Sequence, residues 1–208
     1  MARITVIHYS ATGNVHRLAQ AVADGARDQG AEVRVRRVAE LAPAQAVAAN
    51  QRWAAHADAV AHMPFASHDD LRWADGFAFG TPSRFGTPAA QLKQFIDTTG
   101  GLWAEGALTD KPVTVFTSAD NPHGGLEATV LSLSNVFYHW GAVLVPPGYT
   151  HPAVAEAGGN PYGAAFVANG HGAELASVLR AAQHQGARLA RYAAAIRSLR
   201  REPALVDA

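Results

Sequence analysis

A turn of small and hydroxyl-bearing residues, Ser10–Asn14, follows an apolar run at residues 4–7 and directly precedes a helical pattern. Apolar residues then recur at the spacing of one helix face: Val15, Leu18, Ala19, Val22 and Ala26. A helix that begins at the end of a buried strand points its free N–H groups and its positive dipole end at such a turn. Ser10 and Thr12 add hydroxyl donors, and Gly13 allows close backbone approach. The turn therefore predicts a phosphate-binding loop, the alternative being an ordinary strand-to-helix turn that Asn14 caps.

Other nucleotide-binding loops do not fit this chain. The pattern G-x-x-x-x-G-K-S/T is absent, and the two lysines, Lys93 and Lys111, lie elsewhere in the sequence. A complete G-x-G-x-x-G fingerprint is absent as well. The turn is therefore neither a P-loop nor the dinucleotide loop of a Rossmann domain.

The composition narrows the class of protein. Hydrophobic residues make up 49% of the 208 residues, which excludes a disordered chain, and no apolar run approaches the roughly 20 residues of a membrane span. The 17 basic residues balance 17 acidic ones, so nucleic acid is not an expected partner and a charge-steered electron shuttle is disfavoured. The absence of cysteine excludes disulfides and thiolate chemistry, and it fits a cytoplasmic protein without a signal peptide.

The strand and helix patterns predict the fold that must position the turn. Further apolar runs predict four more strands, at residues 32–36, 75–80, 112–118 and 142–146. Because helical patterns separate the strands, we expect an α/β fold with a doubly wound, five-stranded parallel sheet of order 2-1-3-4-5. We expect a single domain over residues 1–199 and a tail at 200–208. Residues 38–67 are interpreted as a partly helical excursion between two strands. Residues 99–103 are interpreted as a glycine-rich link, and residues 147–172 as a loop rich in Gly and Pro.

Three turns follow strands that we expect to be neighbours in this sheet, at residues 10–14, 82–87 and 118–125. All three are rich in Gly, Pro or hydroxyl side chains, and ligands of doubly wound proteins bind at the carboxyl ends of the strands. The turns therefore predict one shared binding site. Within the second turn, Thr87 is expected to cap a helix whose first residue is Pro88.

Three histidines of the excursion, His56, His62 and His68, are spaced six residues apart. This spacing places them on different helix faces, so we expect no shared metal site. They are interpreted as surface residues.

Longer motifs relate these turns to a known family. They are Gly80-Thr-Pro-Ser-Arg-Phe-Gly86, Thr99-Gly-Gly-Leu-Trp-Ala104, Gly148-Tyr-Thr150 and Asn160-Pro-Tyr-Gly-Ala164. Together with the first turn, they resemble the tryptophan-repressor-binding-protein family of flavodoxin-like NAD(P)H:quinone oxidoreductases over nearly the whole chain. The resemblance implies a flavodoxin-like fold, bound FMN, two-electron reduction of a quinone by NAD(P)H, and a homotetramer or dimer whose subunits share site walls.

The resemblance also implies which residues hold FMN. The first turn would hold the phosphate, the second would line the isoalloxazine ring, and the third would close the site. The implied residues are Ser10, Ala11, Thr12, Gly13, Asn14, Val15, Pro82, Ser83, Arg84, Phe85, Gly86, Trp103, Ser118, Ala119, Asp120, Gly124, Gly125 and His139. No side chain is expected to act as an obligate acid or base, because the cofactor performs the redox chemistry.

Three of these residues have simpler alternative roles. The alternative for Arg84 is a solvated surface charge. Trp103 has a large aromatic area that suits core or subunit packing. His139 lies near the end of a helical pattern, where a histidine commonly complements the helix dipole.

Two positions depart from the family pattern. Thr12 occupies a place where the family has an aromatic residue that helps hold the nicotinamide nucleotide. The third turn, at residues 119–125, is longer and carries Asp120, whose carboxylate would disfavour negative charge on a nearby flavin. These departures affect the expected substrate preference more than the expected FMN binding.

Two other functions stay open at this stage. One is an FMN-binding electron-transfer or regulatory flavoprotein without significant quinone turnover, which the balanced charge disfavours. The other is a flavodoxin-like scaffold that has lost flavin, which the altered third turn favours.

Overall fold

The computed structural model describes residues 1–199, and the expected tail at residues 200–208 lies outside the described residues. Within this range the strands are β1 (Arg3–His8), β2 (Glu32–Arg37), β3 (Gly76–Arg84), β4 (Thr87–Pro88), β5 (Pro112–Ala119), β6 (Val143–Leu144) and β7 (Ala165–Val167). The helices are α1 (Asn14–Asp28), α2 (Ala44–Ala48), α3 (Gln51–Ala59), α4 (His68–Trp73), α5 (Ala90–Asp97), α6 (Gly100–Ala104), α7 (Leu126–His139), α8 (Pro152–Glu156) and α9 (Leu175–Leu199).

The main sheet has the order β2-β1-β3-β5-β6, and all four of these pairings are parallel. Counted along these strands, this is the expected 2-1-3-4-5 order, so the predicted fold class is confirmed. Strand β7 extends β5 in parallel, and the short β4 pairs antiparallel with β3. Because β1, β3 and β5 are neighbours, the loops that follow them meet at one edge of the sheet.

Strand β1 is buried on both faces, as its β-branched composition requires in a parallel sheet. Ile4 and Val6 pack with the buried faces of α1 and α9. Ile7 points the other way and packs with residues of α4, α5 and α7. The sheet therefore lies between two helical layers, and β1 belongs to the core of both.

Helices α1 and α9 cross at a point where two glycines allow the backbones to touch. A Cβ atom on Gly25 would lie 1.8 Å from the carbonyl oxygen of Gln183. A Cβ atom on Gly186 would lie 1.9 Å from the carbonyl oxygen of Val22. No side chain fits at either position, so α9 sets the position of α1 through backbone contact.

The opposite layer is held by aromatic rings. Phe137 of α7 lies between Phe79 of β3 and Trp140, with ring centroids 5.1 and 5.3 Å apart. Phe77 meets Trp140 edge-to-face at 6.2 Å. Each of these side chains is buried, and tilted or edge-to-face pairs of this kind are favourable. They fix α7 on the sheet, directly after the third predicted turn.

The expected helix cap at Thr87 is wrong. Thr87 and Pro88 form strand β4, and the hydroxyl of Thr87 donates to the carbonyl of Arg84 (2.8 Å), which closes a hairpin. The helix begins two residues later, at Ala90, after Ala89, whose N–H donates to Thr81 Oγ1.

Two of the irregular segments contain regular structure. The glycine-rich link includes the short helix α6, and the loop at residues 147–172 includes α8 and β7. Strand β7 has only three residues, so no local pattern in the sequence predicts it. It is a strand because it pairs with β5, which lies far from it in the sequence. The excursion at 38–67 is partly helical, as expected, through α2 and α3.

Candidate cofactor site

A cavity of about 390 Å³ lies at the carboxyl edge of the sheet. It is lined by Ser10, Ala11, Thr12, Asn14, Val15, Asn50, Arg52, Trp53, Pro82, Ser83, Arg84, Ser118, Ala119, Asp120 and Ala168. All of these except Asn50, Arg52, Trp53 and Ala168 belong to the set predicted from the sequence. The loops after β1, β3 and β5 therefore do meet around one space.

The first loop enters α1 through a left-handed residue. Gly13 has φ 92°, and its N–H donates to Ser10 Oγ (3.1 Å). The first turn of α1 has no acidic side chain, so no carboxylate there competes for its N–H groups. Asn14 is already helical, and its side-chain oxygen accepts from Arg17. The alternative of a turn capped by Asn14 is therefore wrong.

The second and third loops are joined to each other. Ser83 Oγ donates to the carbonyl of Gly124 (2.6 Å), and the hydroxyl of Thr129 donates to Ser83 Oγ (2.8 Å). Gly125 has φ 82°, and a Cβ atom on it would lie 2.6 Å from Cα of Gly86. Glycine is therefore required at Gly125 both by its conformation and by this close approach.

Seven predicted residues do not line the cavity of the single chain: Gly13, Phe85, Gly86, Trp103, Gly124, Gly125 and His139. Phe85 sits in a tight turn with φ 53°, and its side chain is fully exposed. Trp103 Nε1 donates to the carbonyl oxygen of His139 (2.7 Å), so these two residues contact each other. Their side chains are exposed.

The start of helix α3 forms a wall that the sequence did not predict. Asn50 caps this helix, since its side-chain oxygen accepts from the N–H of Trp53 (3.1 Å). Arg52 brings an exposed guanidinium to the same cavity. An asparagine before an alanine-rich run does signal a helix start. No local signal indicates that this helix lies against the loop after β1.

Glu40 anchors α3 to the rest of the site. Its Oε2 accepts from the hydroxyl of Tyr9 (2.7 Å) and from Nε1 of Trp53 (3.1 Å). Its Oε1 accepts from Nε2 of Gln91 (2.6 Å), which lies on α5. One carboxylate thus connects the end of β1, the wall helix α3 and helix α5.

The hydrogen bonds of Glu40 also set its charge. Burial alone would raise its pKa, but bonds from the N–H of Ala42, the amide of Gln91 and the hydroxyl of Tyr9 hold the pKa below the usual 4.5. Burial raises the pKa of Tyr9, and its hydrogen bond to Glu40 raises it further. Glu40 is therefore an anion and Tyr9 a neutral donor at pH 7.

The histidine predictions are partly corrected. His62 and His68 are exposed, as expected. His56 is half-buried instead, and its ring lies against that of His16 with centroids 5.4 Å apart. Spacing along one helix does not reveal this contact, because the neighbour belongs to α1.

Residues 1–199 contain neither a cluster of metal ligands nor a membrane-spanning helix. No group of three or more His, Asp or Glu side chains in this range is placed to hold a metal ion. None of the helices in the same range has both the length and the apolar surface needed to cross a bilayer.

The sheet order, and the three loops that meet around a cavity at its carboxyl edge, define a flavodoxin-like α/β protein. The profile of the NADPH-dependent FMN reductase family matches residues 2–156. The chain belongs to that family.

Curated relatives extend the match. A protein of Deinococcus radiodurans named NAD(P)H dehydrogenase (quinone) is 44% identical over 168 residues, which cover 81% of this chain and 84% of the relative. A protein of the same name from Aromatoleum aromaticum is 42% identical over 201 residues, 93% of this chain and 97% of the relative. The family resemblance predicted from the motifs is thereby confirmed.

Solved structures confirm the fold. The crystal structure of a flavodoxin, WrbA-like protein from Agrobacterium tumefaciens superposes with a TM-score of 0.65 at 24% identity, over 94% of this chain and 99% of that one. A flavodoxin from the domain Archaea superposes with a TM-score of 0.60 at 14% identity, over 92% of this chain and 99% of that one.

Proposed function

We propose that this protein is an FMN-dependent NAD(P)H:quinone oxidoreductase that reduces quinones by two electrons. The family and the names of the relatives support this function. The observation that carries it is the arrangement of three loops around one cavity, with the loop Ser10–Val15 at the N-terminus of α1.

The residues present fit FMN. A phosphate group needs N–H donors without a competing carboxylate, and the first turn of α1 offers this. Gly13 has a conformation that side chains disfavour, which leaves the backbone accessible. The volume of about 390 Å³ lies in the range of small-molecule and cofactor sites.

Each loop has its own part in this proposal. Residues 10–15 hold the phosphate, while Ser83 and Arg84 line the ring beside the loop at 118–120. Bound FMN would supply the redox chemistry of a two-electron transfer from reduced nicotinamide to quinone, and the three loops would hold it. The exposed carboxylate of Asp120 lines the same space and disfavours added negative charge there, which lowers the reduction potential of the site.

The decisive experiment has two parts. The purified protein is first titrated with FMN and with riboflavin, and FMN is expected to bind more tightly because only FMN has a phosphate. Initial rates with NADH or NADPH and a benzoquinone are then expected to give parallel, ping-pong plots, because both substrates use one flavin face. Equal affinity for FMN and riboflavin would contradict the loop assignment, and intersecting plots would contradict the shared face. Tight FMN binding without quinone turnover would favour the electron-transfer or regulatory alternative.

We propose further that one FMN-binding domain spans residues 1–199 and that its copies form a homotetramer or dimer in the cytoplasm. The exposed aromatic side chains of Phe85, Trp103 and Tyr138 support association, because such large apolar groups are typical of protein interfaces. The lack of cysteine supports a reducing compartment. Sedimentation equilibrium tests the association, and a monomer at micromolar concentration would contradict it.

A further inference from the structure

Three histidines form a row that leads from the buried strand β1 to the back of the loop that precedes α1. His8 Nε2 lies 3.1 Å from Nδ1 of His16, and the ring of His16 is tilted by 53° against that of His56, with centroids 5.4 Å apart. A Cβ atom on Gly13 would lie 3.4 Å from Nδ1 of His56. His56 therefore contacts the loop from the side of α3, next to the residue that precedes the first turn of α1.

The row carries little positive charge as it stands. Burial is the main cause that lowers the pKa of His56, and the nearby His16 and Arg17 lower it further. Burial also lowers the pKa of His16, and the nearby His62 adds a smaller effect in the same direction. Burial, together with a smaller effect of His16, lowers the pKa of His8 to about 3. At pH 7 these rings are therefore mainly neutral.

The surroundings of His56 offer both signs of charge. The groups that face the row or share its cavity are His8, His16 and Arg17 from β1 and α1, Arg36 and Arg37 from β2, Glu40, Asp58 from α3, and His62 from the segment after it. Glu40 is already engaged by several donors, and Arg37 donates to the carbonyls of Met63 and Ala61. An anion bound at the start of α1 would be a new negative charge beside this row.

We propose that His56 is a positioning residue for the phosphate of FMN and that it acts through Gly13 with a positively charged imidazole. This inference rests on the proposed function, because it requires FMN at the loop of residues 10–15. When the phosphate arrives, His56 takes one proton from solvent, and the resulting cation stabilises both the dianion and the left-handed turn in front of it. His56 lines the neighbouring cavity with His8 and Glu40 and does not line the cavity of the three loops, so it acts through Gly13 and needs no direct contact with FMN.

The sign of the pH effect follows from this arrangement. The pKa of His56 is depressed in the free protein and is raised when the phosphate binds, so FMN binding takes up protons. Binding therefore strengthens as the pH falls from 8 towards 6.5. Below about pH 6 the phosphate itself is protonated and the gain ends, as the second pKa of a phosphate ester is about 6.

The test is isothermal titration calorimetry of FMN into the full chain at pH 6.5, in two buffers with different ionisation enthalpies. His56→Gln removes the titrating group, and His56→Lys replaces it by a permanent cation. His68→Gln is the matched control, because His68 is an exposed histidine that bonds Thr98 on another part of the surface. Riboflavin, which lacks the phosphate, is titrated in parallel.

We expect wild type and His68→Gln to take up the same fraction of a proton with FMN, and both His56 variants to take up less. His56→Gln should bind FMN about three- to tenfold more weakly, as expected for one partly screened charge at moderate distance, and His56→Lys should recover the affinity. Equal proton uptake in wild type and His56→Gln would overturn the inference. Equal weakening by the Gln and Lys variants would also overturn it, because the ring would then act by shape. If no variant and not even wild type binds FMN, the proposed function itself is wrong.

Discussion

One wall of the cavity is formed by the loops after β1, β3 and β5, whereas another is formed by the start of α3. The loop wall is fixed at its base by the parallel sheet and at its rim by bonds between loops, such as that from Ser83 to Gly124. The α3 wall has no fully buried residue, and the one side-chain hydrogen bond of the Trp53 indole goes to a carboxylate, that of Glu40. The first wall is therefore a property of the backbone, and the second depends on a few side chains.

This difference has a consequence for how each wall fails. A substitution in the loop wall acts where backbone conformation is restricted, so it affects the cofactor without loosening the sheet. A substitution at Glu40 releases a helix whose own residues are largely exposed. A substitution in the loop wall should therefore cause a large loss of FMN affinity with only a local structural change. A substitution that affects the α3 wall should cause a smaller loss of affinity and increase the mobility of the helix.

The largest effect is expected at Gly13. Gly13→Val should lower the affinity for FMN by about 100-fold or more, because a β-branched residue does not adopt φ near 92° and the turn must rearrange. Fluorescence quenching of FMN measures the loss. The control is Gly30→Val, since Gly30 also has positive φ (73°) but has open space around it, at the other end of α1. If both variants lose FMN equally, general destabilisation and not the loop is responsible.

A smaller effect is expected at Glu40. Glu40→Ala should lower the affinity for FMN about tenfold, because hydrogen bonds to a charged group are worth about 1.5–3 kcal/mol before solvent exposure is discounted. Hydrogen exchange of residues 51–59 should accelerate at the same time. Glu105→Ala is the control, since Glu105 is also an exposed carboxylate held by a side-chain donor, but its partner is Arg72, away from the cavity. Unchanged exchange in α3 would show that Glu40 does not hold this wall.

The charge of Glu40 gives the same wall a pH dependence. Its pKa is depressed in the folded protein, so its contribution is fully present above about pH 4.5 and is lost as the pH falls below that value. Hydrogen exchange of α3, corrected for the intrinsic rate, should therefore stay constant down to about pH 4.5 and increase as the pH falls further, while that of β1 stays slow. Uniform behaviour of the two segments would contradict the contrast between the walls.

The smallest effect is expected at Thr12, which lines the loop wall but is only partly buried. Thr12→Tyr should lower the Michaelis constant for NAD(P)H about threefold, the lower end of the gain expected from an added aromatic contact. The constant for quinone should change less, because the quinone stacks on the flavin. An unchanged NAD(P)H constant at full FMN occupancy would place the nucleotide on other residues.

The two walls also differ in how far the sequence predicts them. The strands and the loops after them were predicted because β-branched runs, turn residues and helix spacing are local signals that point to the same fold. The contact of α3 was not predicted, because Trp53 is placed by Glu40, and Glu40 is held in turn by Tyr9 and Gln91. The same reason applies to His56, whose neighbour His16 lies 40 positions earlier in the chain. Signals that join distant residues are not visible in a single sequence.

The glycine crossing of α1 and α9 has a consequence for the order in which the protein is made. Helix α1 carries the phosphate loop at its start, but the helix packed against it, backbone to backbone at Gly25 and Gly186, is the last one described. A ribosome that has synthesised the chain as far as β5 has already released the loop, yet the partner of α1 is still untranslated. The cofactor site is therefore expected to mature only when residues 175–199 have emerged from the ribosome, so FMN is expected to bind after α9 has packed on α1.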